Sequence, residues 1–248
     1  MRIAFLCLNL IMMLAVSARA EVSIGRFNAE VSAVSAPWQL IRLEKHVPPT
    51  HYRSVNWEGV AAIEARAQAS MALLARPVEV DLAATPMLCW RWRVDHALNG
   101  ADMSKRSGDD YAARVYLAFS LPPEALGLGA KASLALARAI YGSVVPDAAI
   151  NYVWDNRYQV GTRMPNAYTD RAQMIVRRSG NQWAGTWVEE RVSVAEDVAQ
   201  IFHTHRARLK VLAIAADADN TGESVRAGFA DLHFVGADEP CRFDRHDG

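Results

Sequence analysis

The sequence predicts a mainly β protein: an antiparallel β-sandwich of jelly-roll or galactose-binding-like type with one or two short helical insertions. Three observations carry that prediction. Ten short segments show period-2 or compact apolar patterning bounded by turn residues. They follow one another in the spacing of sandwich strands rather than alternating with helices as βαβ units do. Only two stretches have helical character, and no repeat, Gly/Ser run or Pro linker divides the chain.

In chain order the strand segments are 38–43, 60–65, 71–80, 88–94, 111–119, 150–154, 173–177, 186–192, 209–215 and 226–235. Within 88–94, Leu88, Trp90, Trp92 and Val94 share one face, and Cys89, Arg91 and Arg93 share the other. Within 111–119 the apolar set is Tyr111, Ala113, Val115, Leu117 and Phe119, while Arg114 and Tyr116 point the opposite way. Tyr152 and Trp154 lie together on a third segment. If these strands are neighbours, one face presents guanidinium groups beside aromatic rings. Rings stack on the apolar faces of pyranoses and charged groups bond their hydroxyls, so such a face suits a glycan. The plainer alternative makes Arg91 and Arg93 the solvated side of a half-buried strand, their stems covering apolar surface.

The helical stretches are 130–141, where Leu134, Leu136 and Ile140 sit among alanines, and 195–202, with Glu196 and Asp197 in the first turn, where the helix dipole favours acids. Pro122-Pro123 opens an insertion over 122–142 that contains the first of them. Its expected role is packing support at the sandwich rim, with a lid or a docking element as the alternatives.

Residues 1–20 read as an address. Arg2 precedes an uncharged stretch from Ile3 to Ser17, and Ala18-Arg19-Ala20 supplies a small-x-small cleavage signature, the layout of a signal peptide. The apolar stretch is shorter than the roughly 20 residues a membrane-spanning helix needs. The expectation is an exported chain, periplasmic or secreted, whose residues 21–248 form a single sandwich domain with no membrane span. Removing the leader turns 27 cations against 27 anions into 25 against 27, and leaves two cysteines, Cys89 and Cys241. In an oxidising compartment these are expected to form one disulfide; the alternative is a buried Cys89 and a free thiol at Cys241. With 51% hydrophobic residues and balanced charge, neither disorder nor phosphate-driven nucleic-acid binding fits.

Several runs together resemble the exported bacterial proteins of domain-of-unknown-function family 3047. They are Trp90-Arg91-Trp92-Arg93-Val94, the stretch from Lys105 to Tyr116 containing GDDYAARVY, Tyr152-Val153-Trp154, Asp217-Ala218-Asp219-Asn220-Thr221-Gly222 and Phe229-Ala230-Asp231-Leu232. The resemblance covers about 38–234 and implies an identity with no assigned activity. A weaker, fold-level similarity links 229–234 to the closing strand of galactose-binding-like jelly rolls, which include many carbohydrate-binding modules, some with a structural calcium.

The constellations that bear chemistry are few. Matched to an EF-hand loop, Asp217, Asp219 and Gly222 fit positions 1, 3 and 6, but Gly228 stands where a bidentate Glu belongs. A different calcium site using Asp217, Asp219 and Asn220 with backbone carbonyls stays open beside an ordinary Asp/Asn/Gly turn. No cofactor is expected from the sequence apart from that calcium. Asp109 and Asp110 are adjacent, so they point apart on an extended chain; either can anchor a loop through Arg114, Lys105 or Arg106. A glycosidase needs two carboxylates several ångströms apart, to be drawn from Asp109, Asp110, Asp155, Asp219 and Asp231. His203 and His205 lack the further ligands zinc requires. No GxSxG elbow, HExxH helix or Walker A loop is present.

The leading expectation is a non-catalytic, exported binding protein for a glycan or other cell-envelope component. Its ligand-binding candidates are Arg91, Arg93, Asp110, Arg114, Tyr116, Tyr152, Trp154 and Asp231. The alternatives are a carbohydrate-active enzyme using a carboxylate pair, and an assembly protein docking through 122–142.

Overall fold

The computed structural model describes residues 21–28, 33–129, 131, 134, 135 and 145–243. The leader expected over 1–20 and most of the helix expected over 130–141 lie outside the described residues. The chain opens with β1 (Glu21–Gly25), β2 (Gln39–Ile41), β3 (His51–Trp57), β4 (Val60–Gln68), β5 (Leu73–Pro77), β6 (Met87–Val94) and β7 (Tyr111–Ser120). It continues with β8 (Ala148–Asp155), β9 (Arg163–Asn166), β10 (Thr169–Ser179) and β11 (Val188–Ser193). Helix α1 (Val194–Phe202), β12 (Arg208–Asp217) and β13 (Ser224–Val235) complete it.

The strands form two sheets. One runs β11-β6-β13-β4-β3, with β1 also paired to β13; the other runs β2-β5-β12-β7-β8-β10-β9. The pairings are antiparallel except that of β8 with β10, which is parallel. After β8 the chain reverses into β9 at the sheet edge, and β10 returns between the two in the direction of β8. The result is the mainly β sandwich that the alternating patterns predict.

Apolar alternation decides what lies between the sheets. Trp90, Trp92, Phe229 and Phe234 come from the six-stranded sheet, and Val115, Leu117, Tyr152, Trp154 and Ile214 from the seven-stranded one. Trp90 packs on Tyr152 with ring centroids 5.6 Å apart, and Trp92 on Trp154 at 5.7 Å. Buried rings with polar ends need partners. The Tyr152 hydroxyl donates to Asp197 Oδ2 at 2.7 Å, Trp92 Nε1 to Glu190 at 3.2 Å and Trp154 Nε1 to the Gly180 carbonyl at 3.0 Å. Buried Glu190 also accepts from Arg177 and Arg178 of β10, tying the edge strand β11 of one sheet to the other sheet. Helix α1 starts at Ser193, whose hydroxyl accepts the Glu196 N–H at 3.3 Å, the spacing of a capping box. It ends at His203, which takes a left-handed φ of 51°.

The outer face of the six-stranded sheet is packed with arginine and tryptophan. The Arg226 guanidinium lies 3.5 Å and that of Arg93 4.3 Å from the Trp57 ring centroid. Gly228 is required beneath them, since a Cβ there would come within 2.7 Å of Trp187 Cη2. Buried Glu64 accepts from Arg53, Arg66 and Arg226. Cys89 in β6 is joined to Cys241 by a disulfide across a sequence separation of 152, with Cα atoms 5.7 Å apart. No described helix is long and apolar enough to cross a membrane.

Candidate functional site

The outer face of the seven-stranded sheet carries a cavity of about 340 Å³. Its floor follows from period-2 alternation: with Val115 and Leu117 turned into the core, Arg114 and Tyr116 of β7 must point out. Asn151 of β8 sits opposite Tyr116, and Asp217 of β12 opposite Tyr111. Asp109 before β7, Asp219 and Asn220 after β12, and Asn166 and Tyr168 at the β9–β10 turn form the walls.

Asp110 fastens one wall to the floor. Its carboxylate accepts the Asn220 N–H and Nδ2 at 3.2 Å each and the Thr221 N–H at 2.6 Å, so it orders the 218–223 turn. Asp109 accepts from the Tyr111 hydroxyl at 2.8 Å and from Asn166 Nδ2 at 2.9 Å. The Tyr168 hydroxyl reaches Asn220 Oδ1 at 3.4 Å, and the Arg106 guanidinium stacks 5.2 Å from the Tyr168 ring centroid.

Carboxyl oxygens of Asp110, Asp217 and Asp219 lie within 4.8 Å of one another. Like charges gathered away from water disfavour ionisation. Burial, reinforced by Asp110, Asp109 and Asp219, pushes the Asp217 carboxyl well above the usual range against the opposing pull of Arg114. Burial and Asp110 raise Asp219, and burial raises Asp109 despite Arg114, Asn166 and Tyr111.

Three buried atoms around this cavity have no hydrogen-bond partner among the described residues: Asn151 Oδ1, Asp217 Oδ1 and Arg114 Nε. The last two are 3.3 Å apart, close enough for an ion pair but not aligned for a hydrogen bond.

Of the residues singled out in the sequence, Asp110, Arg114, Tyr116, Asp217, Asp219 and Asn220 are brought together here. Tyr152 and Trp154 are in the core between the sheets. Arg91, Arg93 and Asp231 are on the outer face of the other sheet, because β6 and β13 belong to it and not to the sheet of β7 and β8. There Arg91 pairs with Asp231, which takes a left-handed φ of 53° at a bulge in β13, and Arg93 pairs with Glu58 at 2.8 Å. Asp155 is occupied in a turn, accepting the Arg157 and Tyr158 N–H groups. The lining residues not named from the sequence include Asn151, Asn166 and Tyr168. Only Asn151 leaves a trace there, as a lone amide inside the apolar strand AAINYVWD.

A hard cation such as calcium takes oxygen ligands at about 2.4 Å, and the Asp110, Asp217 and Asp219 oxygens are near enough to share one. Asn220 is not free to join them, since its Nδ2 donates to Asp110 and its Oδ1 faces Tyr168. Arg114 already supplies positive charge beside Asp217.

Fold and site together define a β-sandwich with an acidic, tyrosine-lined cavity on one outer face. The chain belongs to the family described as Protein of unknown function (DUF3047), whose model matches residues 36–233. No curated protein matches it. Among solved structures it is similar to the xyloglucanase domain of NopAA, a type three effector from Sinorhizobium fredii, in complex with cellobiose. That likeness has 8% identity over 82% of this chain and 100% of that one, with a TM-score of 0.42. A structure from a comparison of family 12 glycoside hydrolases is similar at 11% identity, covering 86% and 87% of the two chains with a TM-score of 0.32.

Proposed function

We propose that this protein is exported and binds a glycan in the cavity over Arg114, Tyr116 and Asn151. One observation carries the reading: Asn151 Oδ1, Asp217 Oδ1 and Arg114 Nε are buried, unmatched and gathered at one cavity. Unmatched buried polar atoms are costly, so their concentration at one opening favours a ligand that completes them. A sugar hydroxyl both donates and accepts, and can serve Asn151 Oδ1 and Arg114 Nε alike. The Tyr116 and Tyr168 rings offer the apolar contact that a pyranose face requires. Export is supported by the leader-like 1–20 segment and by the disulfide.

Calorimetric titration with a panel of oligosaccharides tests the reading. Binding is expected to disappear in Asn151→Leu and Tyr116→Ala with the melting transition retained. A panel that leaves the folded protein unbound, or binding that survives both changes, overturns it.

A second reading has its own support. Asp217, biased toward the protonated form and beside Asp110 and Asp219, is a general-acid candidate for glycosidic hydrolysis. Release of reducing ends from a polysaccharide, lost in Asp219→Asn, would replace the non-catalytic reading with this one.

A further inference from the structure

The charge and hydrogen-bond character of the cavity point to a narrower ligand class. Resting on the glycan reading above, we propose that the site selects an amino sugar, a glycan carrying a free, protonated amine.

Glu44, Asp109, Asp217 and Asp219 line the cavity, and Arg114 is the one cation lining it among the described residues. Arg106 is turned onto the Tyr168 ring. Arg171 acts on the Tyr116 hydroxyl from outside the lining. The unmatched atoms lean the same way, with acceptors at Asn151 and Asp217 against a single donor at Arg114. The missing partner is therefore rich in donors and positive.

An ammonium group has three donors and no acceptor. At charge-assisted N···O distances of about 2.8 Å, its three tetrahedrally directed acceptors stand about 4.6 Å apart. Oxygens of Asp110, Asp217 and Asp219 lie within 4.8 Å of one another, close enough to converge on a single ammonium group. Asn151 Oδ1 is then left for a ring hydroxyl of the same sugar. A carboxylated sugar meets like charge here, and an N-acetylated one has lost both the charge and two of the three donors.

The test is titration of the protein with the β-linked dimers of glucosamine, N-acetylglucosamine and glucose, and with glucuronic acid and calcium chloride. The glucosamine dimer is expected to bind about tenfold or more tightly than the glucose and N-acetylglucosamine dimers, with glucuronic acid weakest. Asp219→Asn, at a half-buried wall position, is expected to erase that advantage, leaving the glucosamine dimer no tighter than the glucose dimer. Equal affinity for the amine and its neutral counterparts overturns the selectivity and leaves the glycan reading standing. Calcium binding that displaces the sugars assigns the carboxyl triangle to a metal and overturns the proposal. No binding of any sugar to the folded protein removes both readings together.

Discussion

Arg114 Nε and Asp217 Oδ1 face each other at 3.3 Å on adjacent strands of one sheet, both buried, with no hydrogen bond between them. Two charges so placed attract one another but forgo the directional bond that repays their desolvation.

Removing the cation alone leaves Asp217 without a counter-charge among Asp109, Asp110 and Asp219. Arg114→Met is expected to lower stability by about 3 kcal/mol, as for a broken buried pair. The double change Arg114→Met with Asp217→Asn is expected to recover part of that loss, because it removes the stranded carboxyl. Urea unfolding of the three proteins measures both effects, and a double variant less stable than the single one would contradict them.

Asp219 has a raised carboxyl pKa in the folded state. Its contribution to stability is full below its unfolded value near 3.8 and is lost as pH rises through the folded one. Asp219→Asn is therefore expected to melt higher than the parent at pH 8 and no higher at pH 3. Melting curves that stay parallel across that range would reject the assignment.

Glu64 behaves in the opposite sense. Burial alone would raise it, but hydrogen bonds from Arg53, Arg66 and Arg226 hold it at about 2, below its ordinary 4.5. Its stabilisation is present above pH 4.5 and lost as pH falls through about 2. Glu64→Gln is expected to cost on the order of 2 kcal/mol at pH 7, since two of the three arginines are half exposed and screened. Chemical denaturation should show the difference shrinking toward pH 2.

His233 couples acid to the C-terminal tail. Its Nδ1 faces the Asp231 carbonyl at 2.6 Å, and its Nε2 accepts the Arg242 N–H at 3.0 Å, which a protonated ring cannot do. Burial lowers its pKa below 6.5, so this contribution is present above pH 6.5 and lost as pH falls through the folded value. Amide exchange at Arg242, corrected for intrinsic rate, is expected to speed up at pH 5 relative to pH 8. Unchanged protection would refute the coupling.

The Cys89–Cys241 bridge closes a loop of 152 residues, worth about 5 kcal/mol in chain-entropy models. A chain beginning at Glu21 should titrate no free thiol when unfolded without reductant. Cys241→Ser is expected to lower the melting temperature by several degrees, and two reactive thiols in the parent would contradict the bridge.

The alternating patterns located most of the strands, because each carries its burial in its own period. β1, β3 and β9 escaped notice: β3 reads HYRSVNW, with charge and partial exposure along both faces, and β9 is four residues with a proline inside. β1 owes its place to the far half of β13. Alternation also grouped Tyr152 with Trp154 and Arg91 with Arg93, without saying which face turns inward. A two-residue period distinguishes two faces but does not name them.

The sequence by itself determined most of the strands, the helix opened by Glu196 and Asp197, the pair of cysteines, and the acidic run at Asp217 to Gly222. These depend on local periodicity and on residue chemistry close along the chain. Tertiary structure alone decided that β6 and β7 lie in different sheets, and so parted Arg91 and Arg93 from Arg114 and Tyr116. It also brought Asp110 across 110 positions to the turn at Asn220 and set Asn151 and Asn220 on the lining of one cavity. Those placements follow from strand order, which long-range pairing settles and no local pattern encodes.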